Sequence, residues 1–325
     1  MTNFVTYESI RMWREAQIYE YTADTHSLNS FHDLVMYKVL KAAINRLNLG
    51  DPPCDFCWFI AGSGGRMEQE IISDQDHGII FEISSEKNEA YFLKLGKEVS
   101  FGLNLVGYPY CQGNIMSSNP LWCKSIDAWL EQLYKWMEER SLESIRNLQI
   151  FYDARCLYGN ADYVQQLKLY IYDYQNQQPI LLKRLMDSVM HIKNAIGPLG
   201  QIIVIDHGRY QGSINLKYSA FLPYVNAIRI LAIKEGLYET STLERMEALF
   251  RHNDYADELA RSKTYFAKLL DYRLTLVKGN TYEDTHFLKI KDVNKSDRKE
   301  MKQILKEGIR LHQYVSRLVL SSCSG

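Results

Sequence analysis

The sequence predicts an α+β fold: a small mixed sheet with flanking helices, followed by a mostly helical bundle that carries a β-hairpin. Short apolar runs at Trp58-Phe59-Ile60-Ala61 and Gly78-Ile79-Ile80-Phe81 have the length of buried strands, and glycine or polar residues bound each of them. Longer stretches with apolar residues near helical spacing lie before, between and after these runs. Ile202 to Ile205 and Ser213 to Lys217 read as two arms of a hairpin joined through His207-Gly208-Arg209-Tyr210. With 325 residues, a formal net charge of -1 and 46% hydrophobic residues, the chain suffices for two compact domains, each with a core.

The elements follow in order. Residues 6 to 24 and 30 to 48 read as helices, the second with Leu34, Val35, Tyr37, Leu40, Ile44 and Leu47 near helical spacing, and Leu49-Gly50-Asp51-Pro52-Pro53 ends it. The first strand comes next, then a glycine turn, a short helix from Arg66 to Ile71 and a second strand from His77 to Ile83. A helix over 87 to 106, a loop from Gly107 to Asn119 and a helix over 122 to 140 lead to a third strand, Leu148 to Tyr152, that ends on Asp153. Beyond it, helices are expected over 162 to 174, 180 to 196, 221 to 236, 241 to 252, 255 to 278 and 296 to 320. The last of these places Met301, Ile304, Leu305, Ile309, Leu311 and Val315 largely on one side, as a bundle helix does. The domain reading is N-terminal helices over 1–50, a sheet domain over 51–178 and a helical domain over 179–325, divided near Gln177-Gln178-Pro179.

Residues 62 to 82, GSGGRMEQEIISDQDHGIIFE, carry the chemistry. Gly62, Gly64 and Gly65 can take up positive φ and lack a Cβ, so backbone N–H groups can approach a polyphosphate, with Ser63 adding a hydroxyl donor. Side chains two apart on an extended backbone share a face, so Asp74 and Asp76 can reach one divalent cation. Two such carboxylates about 4 Å apart repel by about 4 kcal/mol at an effective dielectric near 20, which favours a resident cation. Oxygen ligands of this kind suit Mg²⁺ or Mn²⁺. An isolated Asp-x-Asp is more often an acidic surface turn; here the glycine turn and a third acid, Asp153, accompany it. Two-metal phosphoryl transfer needs such a third ligand, which makes Asp153 the candidate for the acceptor-side metal and for the acceptor's proton.

The Gly-Ser, Arg66, Glu68 and Asp-x-Asp pattern resembles the DNA polymerase beta-like nucleotidyltransferase superfamily. More closely, the chain is similar to nucleotidyltransferases related to the PII-protein uridylyltransferase of bacterial nitrogen signalling. The segment Gly107 to Trp122 and the Asp153-Ala154-Arg155 strand end continue that likeness. Gly197-Pro198-Leu199-Gly200 and Gly212-Ser213-Ile214-Asn215-Leu216-Lys217 resemble landmarks of the family's C-terminal substrate-binding domain, so nearly the whole chain is covered. Relatives often carry an acid where Asn215 stands. Many also carry paired nucleotide-sensing modules before the transferase; about 50 residues precede the motif here, too few for such a pair by ordinary domain sizes, so if a bound nucleotide regulates the activity, its sensor is expected elsewhere.

Other residues are weighed beside these. Arg66 can neutralise triphosphate charge with Glu68 as its partner, or form a surface ion pair worth under about 1 kcal/mol. Tyr108 and Tyr110 can flank a base and Asn114 can bind sugar or phosphate, or their loop simply covers a sheet edge. Lys217 can reach phosphates or lie on a solvated face. His77, pointing away from Asp76, reads as a structural histidine. Cys54 and Cys57 have the spacing of half a zinc site without a second close pair, so the six cysteines read as thiols in a reducing compartment. Tyrosines 170, 172 and 174 lack an accompanying basic stripe, which points away from nucleic acid. No signal peptide or membrane-length apolar run is present, so a cytoplasmic protein is expected.

These readings converge on an enzyme that moves a nucleoside monophosphate from an NTP to an acceptor hydroxyl and releases pyrophosphate. By resemblance, the acceptor is a signalling protein's side chain. A small-molecule nucleotidyltransferase and a non-catalytic nucleotide-responsive regulator are the alternatives.

Overall fold

The computed structural model describes residues 6–139, 141–251, 255–277 and 279–322, and the chain forms two compact units, one ending at Tyr170 and the other beginning at Ile171. In the first unit, α1 (Tyr7–Gln17) starts at a capping box between Thr6 and Ser9, and α2 (Thr25–Leu47) is capped by Asp24, which accepts from the Ser27 N–H. Asn48, left-handed at φ 49°, ends α2. Strand β1 (Phe56–Ile60) follows, then α3 (Gly62–Gly65), β2 (His77–Phe81), α4 (Glu86–Val106), β3 (Cys123–Ser125), α5 (Ile126–Glu138), α6 (Leu142–Tyr152), β4 (Arg155–Gly159) and α7 (Asp162–Gln177), which crosses into the second unit.

Among the described residues these strands form one sheet in the order β3-β2-β1-β4, with β2 and β4 antiparallel to β1 and β3 parallel to β2. Every residue of β1 and β2 is buried, because helices cover both faces. Alternation sorts their side chains. Phe56 and Phe81 meet Phe92 of α4, while Phe59 points the other way, onto Trp129 of α5 and Phe151 of α6. Gly78 is small for this reason: a Cβ there would stand 2.3 Å from the Phe59 ring and 2.6 Å from the Trp122 carbonyl.

The expected strand over Leu148 to Tyr152 is instead the end of α6. Its apolar residues follow a helical stripe opened by a Ser141 cap, and Asp153 is the C-cap. The sheet's fourth member is β4, one step later. The short helix expected over Arg66 to Ile71 is also displaced: the helical turn is the glycine stretch itself, and Met67, at φ 57°, breaks it.

In the second unit, α8 (Ile180–Asp187) is shorter than the 180 to 196 stretch read from sequence. Strand β5 (Ser213–Asn215) leads into a π-helical turn, Lys217–Phe221, then α9 (Leu222–Lys234), α10 (Thr242–Phe250), α11 (Ala256–Leu276), β6 (Phe287–Lys289) and α12 (Lys295–Ser322). The expected hairpin is corrected. Residues 205 and 213 do share a backbone bond, but β5 pairs antiparallel with β6, far along the chain. The bundle forms around α9, with Tyr224 donating to the Ile304 carbonyl at 2.7 Å. Met301, Ile304, Leu305, Leu311 and Val315 of α12 are buried, as their spacing predicts, while Ile309 of the same stripe is half-buried. No helix of the described residues is long and apolar enough to cross a membrane.

Candidate functional site

The site grows from the end of β1. Register sets Ile60 opposite His77, and the Ala61 N–H donates to the Asp76 carbonyl at 2.8 Å, so α3 begins beside Asp76. Gly62 has φ +55°, and a Cβ there would lie 2.1 Å from Asp76 Oδ2. A Cβ on Gly65 would lie 2.0 Å from the Asp153 carbonyl, and one on Gly64 would lie 2.5 Å from Ile60. Each glycine is thus a point of close approach. The N–H groups of Gly65 and Arg66 are used within the turn, bonding to Ala61 and Gly62. Those of Gly62, Ser63 and Gly64 open the helical turn, where donors have no intrahelical partner.

Between the two acids, Gln75 points inward and is fully buried. Its Nε2 donates to the carbonyls of Ser100, at 3.2 Å, and Tyr108, at 2.9 Å. Its Oε1 accepts from His77 Nε2 at 3.0 Å. The Trp58 indole, 3.1 Å from His77 Nδ1, can only donate, so the ring carries its proton on Nε2. Burial drives the His77 pKa down to about 3, which keeps the ring neutral. His77 is therefore structural. It locks Gln75, and Gln75 in the core leaves Asp74 and Asp76 half-buried on the opposite side.

The loop after α4 closes the other flank. Gln75 N–H donates to the Pro109 carbonyl, His77 N–H donates to the Ile115 carbonyl, and Gln75 bridges Tyr110 in parallel. That pairing delivers Cys111. One ligand atom each from Asp74, Asp76 and Cys111 lie within 4.8 Å of one another. Burial, then the negative charge of Asp76 and a hydrogen bond to it, push the Cys111 thiol up to about 12, so it is a neutral donor toward Asp76. The donor set fits a divalent cation: two half-buried carboxylates and a sulfur gather where a Cβ on Gly62 would intrude.

Asp153 is not in that group. Its carboxylate, fully buried, accepts from Arg66 Nη1 at 2.7 Å, and Arg66 Nε donates to the equally buried Glu68 at 2.7 Å. Burial alone would lower the Arg66 pKa; the charges of Glu68 and Asp153 and the bonds to them raise it above its ordinary value. The alternative of a surface ion pair for Arg66 is thereby corrected. Arg155 adds a second brace, donating from Nε to the Gly64 carbonyl at 3.0 Å and gripping Asp33 with both terminal nitrogens at 2.8 and 2.6 Å.

The remaining expected residues are placed as follows. Tyr108 does not flank a base: it is buried, with its hydroxyl 2.7 Å from His32 Nδ1. Asn114 is exposed at φ 56°, closing a turn onto the Cys111 carbonyl. Lys217 lies in the second unit at the start of the π-helical turn, its ammonium 5.8 Å from the centre of the Tyr282 ring. Asn215 accepts from the Tyr218 N–H of the same turn at 3.1 Å. Cys54, Cys57 and Cys156 are free thiols; register sets Cys57 of β1 opposite Gly159 of β4 and Cys156 opposite Phe59, and among the described residues no metal-capable group contains either member of the Cys54-x-x-Cys57 motif. Sequence reasoning missed Cys111, Gln75 and Arg155; the polar loop that carries Cys111 was itself the available signal.

Residues 14–143 match the family model described as "Putative nucleotidyltransferase DUF294". Residues 179–319 match the one described as "Putative nucleotidyltransferase substrate binding domain". No curated protein matches the chain.

Proposed function

Because the chain belongs to the DUF294 family of nucleotidyltransferases, with that family's substrate-binding domain following, we propose that it transfers a nucleoside monophosphate from an NTP to an acceptor hydroxyl and releases pyrophosphate. The observation that supports this reading is the close approach of the Gly62 turn to the Asp76 carboxylate, since backbone N–H groups suit phosphate oxygens and carboxylates suit a cation.

Asp74 and Asp76 would hold Mg²⁺ or Mn²⁺, which when bound supplies Lewis-acid stabilisation of the charge on the phosphates and leaving pyrophosphate. The backbone of Gly62 and Gly64 and the Ser63 hydroxyl bind and orient phosphate oxygens. Asp153 acts through Arg66, the two of them fixing the far end of the turn so that these donors stay aimed; we assign it positioning in place of metal ligation. Choice of acceptor is assigned to the second unit, which matches a substrate-binding domain. By resemblance the acceptor is a protein side chain.

Incubation with each labelled NTP and Mg²⁺ or Mn²⁺, with intact-mass analysis of candidate acceptor proteins, tests the proposal. Pyrophosphate release and one added nucleotide mass, both lost in Asp76→Asn, are expected. Nucleotide that binds with the cation and is recovered unchanged would make the protein a nucleotide-responsive regulator.

A further inference from the structure

We infer that Cys111 sets the cation preference of this site: it offers sulfur as a third protein ligand beside Asp74 and Asp76, so the site favours a thiophilic divalent ion, Mn²⁺ or softer, over Mg²⁺. The inference rests on reading the acid pair as a metal site. Its basis is placement, since the three donor atoms lie within 4.8 Å of one another and belong to segments locked together by backbone bonds. A metal–oxygen bond of about 2.1 Å and a metal–sulfur bond of about 2.3 Å span at most about 4.4 Å, so small side-chain movements close the set onto one ion. Carboxylate and water oxygens alone suit Mg²⁺, Ca²⁺ and Mn²⁺ without discrimination by softness; a sulfur donor adds it.

Coordination breaks the S–H bond and forms a metal–sulfur bond, and the proton leaves to solvent, where the buffer takes it up. Mg²⁺, which gains little from sulfur, binds through the acids and water and leaves the thiol intact.

The test uses the full-length chain without metal and Co²⁺ as the probe. A thiolate-to-cobalt charge-transfer absorption is expected in the unmodified protein and in Cys156→Ser, and is expected to vanish in Cys111→Ser and when Asp74 and Asp76 are both changed to Asn. Cys111→Ser should weaken Mn²⁺ binding at least about tenfold while leaving Mg²⁺ within about twofold. In the unmodified chain, Mn²⁺ should shield Cys111 from alkylation, read by peptide mass, and Mg²⁺ should not. Cobalt bound through the acids without the charge-transfer band, or equal losses of Mn²⁺ and Mg²⁺ in Cys111→Ser, would overturn the role of the cysteine and leave the acid-pair site standing. Failure of the unmodified chain to bind any of these ions, with or without NTP, would overturn both.

Discussion

The two ends of the Gly62–Gly65 turn handle acidic side chains in opposite ways. At one end, Asp153 and Glu68 are closed off by a covalently attached cation, the Arg66 guanidinium, with bonds of 2.7 Å to each. At the other, Asp74 and Asp76 are half-buried and gather with a thiol. The first is a fixed pairing in which one guanidinium serves two carboxylates, and the second suits an exchangeable ion. The type of acid is the same; the neighbour that the chain supplies decides the role.

Arg66→Met should break this contrast most severely. Removing the cation leaves two buried carboxylates without it, at a cost of about 3–5 kcal/mol in urea unfolding. A loss below about 1 kcal/mol would instead place the ion pairs on a par with surface ones.

Acid should attack the scaffold behind the acid pair next. Burial lowers the pKa of both His32 and His77 to about 3, so the folded chain keeps them neutral while the unfolded chain protonates them below about 6.5. Their contribution is complete above that pH and is lost as pH falls toward 3, at about 1.4 kcal/mol per pH unit for each ring. Unfolding midpoints at pH 7 and pH 5 check this, and His77→Gln should reduce the slope.

Gly62→Ala comes third. Left-handed backbone at a non-glycine residue costs about 1–3 kcal/mol, and the new Cβ also displaces Asp76, so metal-dependent NTP binding should fall more than stability does. The smallest effect on the metal-free fold belongs to Asp76→Asn, which relieves repulsion and should change stability by no more than about 1 kcal/mol while erasing the rise in melting temperature given by metal plus NTP. A metal-free loss above about 2 kcal/mol would show that Asp76 is architectural.

Much of the helical framework and the acid pair was legible in the sequence because both rest on local periodicity. The inward Gln75 between outward acids follows from alternation along an extended segment. What was not legible depended on remote partners. Ile150-Phe151 looks like a strand in isolation, since a short apolar run does not distinguish a strand from a helix end; the Ser141 cap decides it. Asp153 was recognised as special, but its partner Arg66 could not be assigned until the fold brought the two together. Strand β5 found β6 across several helices, and Tyr108, which reads as an available ring, is sealed against His32.

Gln75 reaches from one buried amide to α4, to the loop and to β2. Such a peg makes the distance between the flanking acids a property of the hydrophobic interior. Shortening or lengthening the chain between Tyr108 and Ile115 should therefore disturb the acids directly, whereas an ordinary surface connection would absorb the change; in descendants of this protein that span should tolerate altered letters far better than altered length.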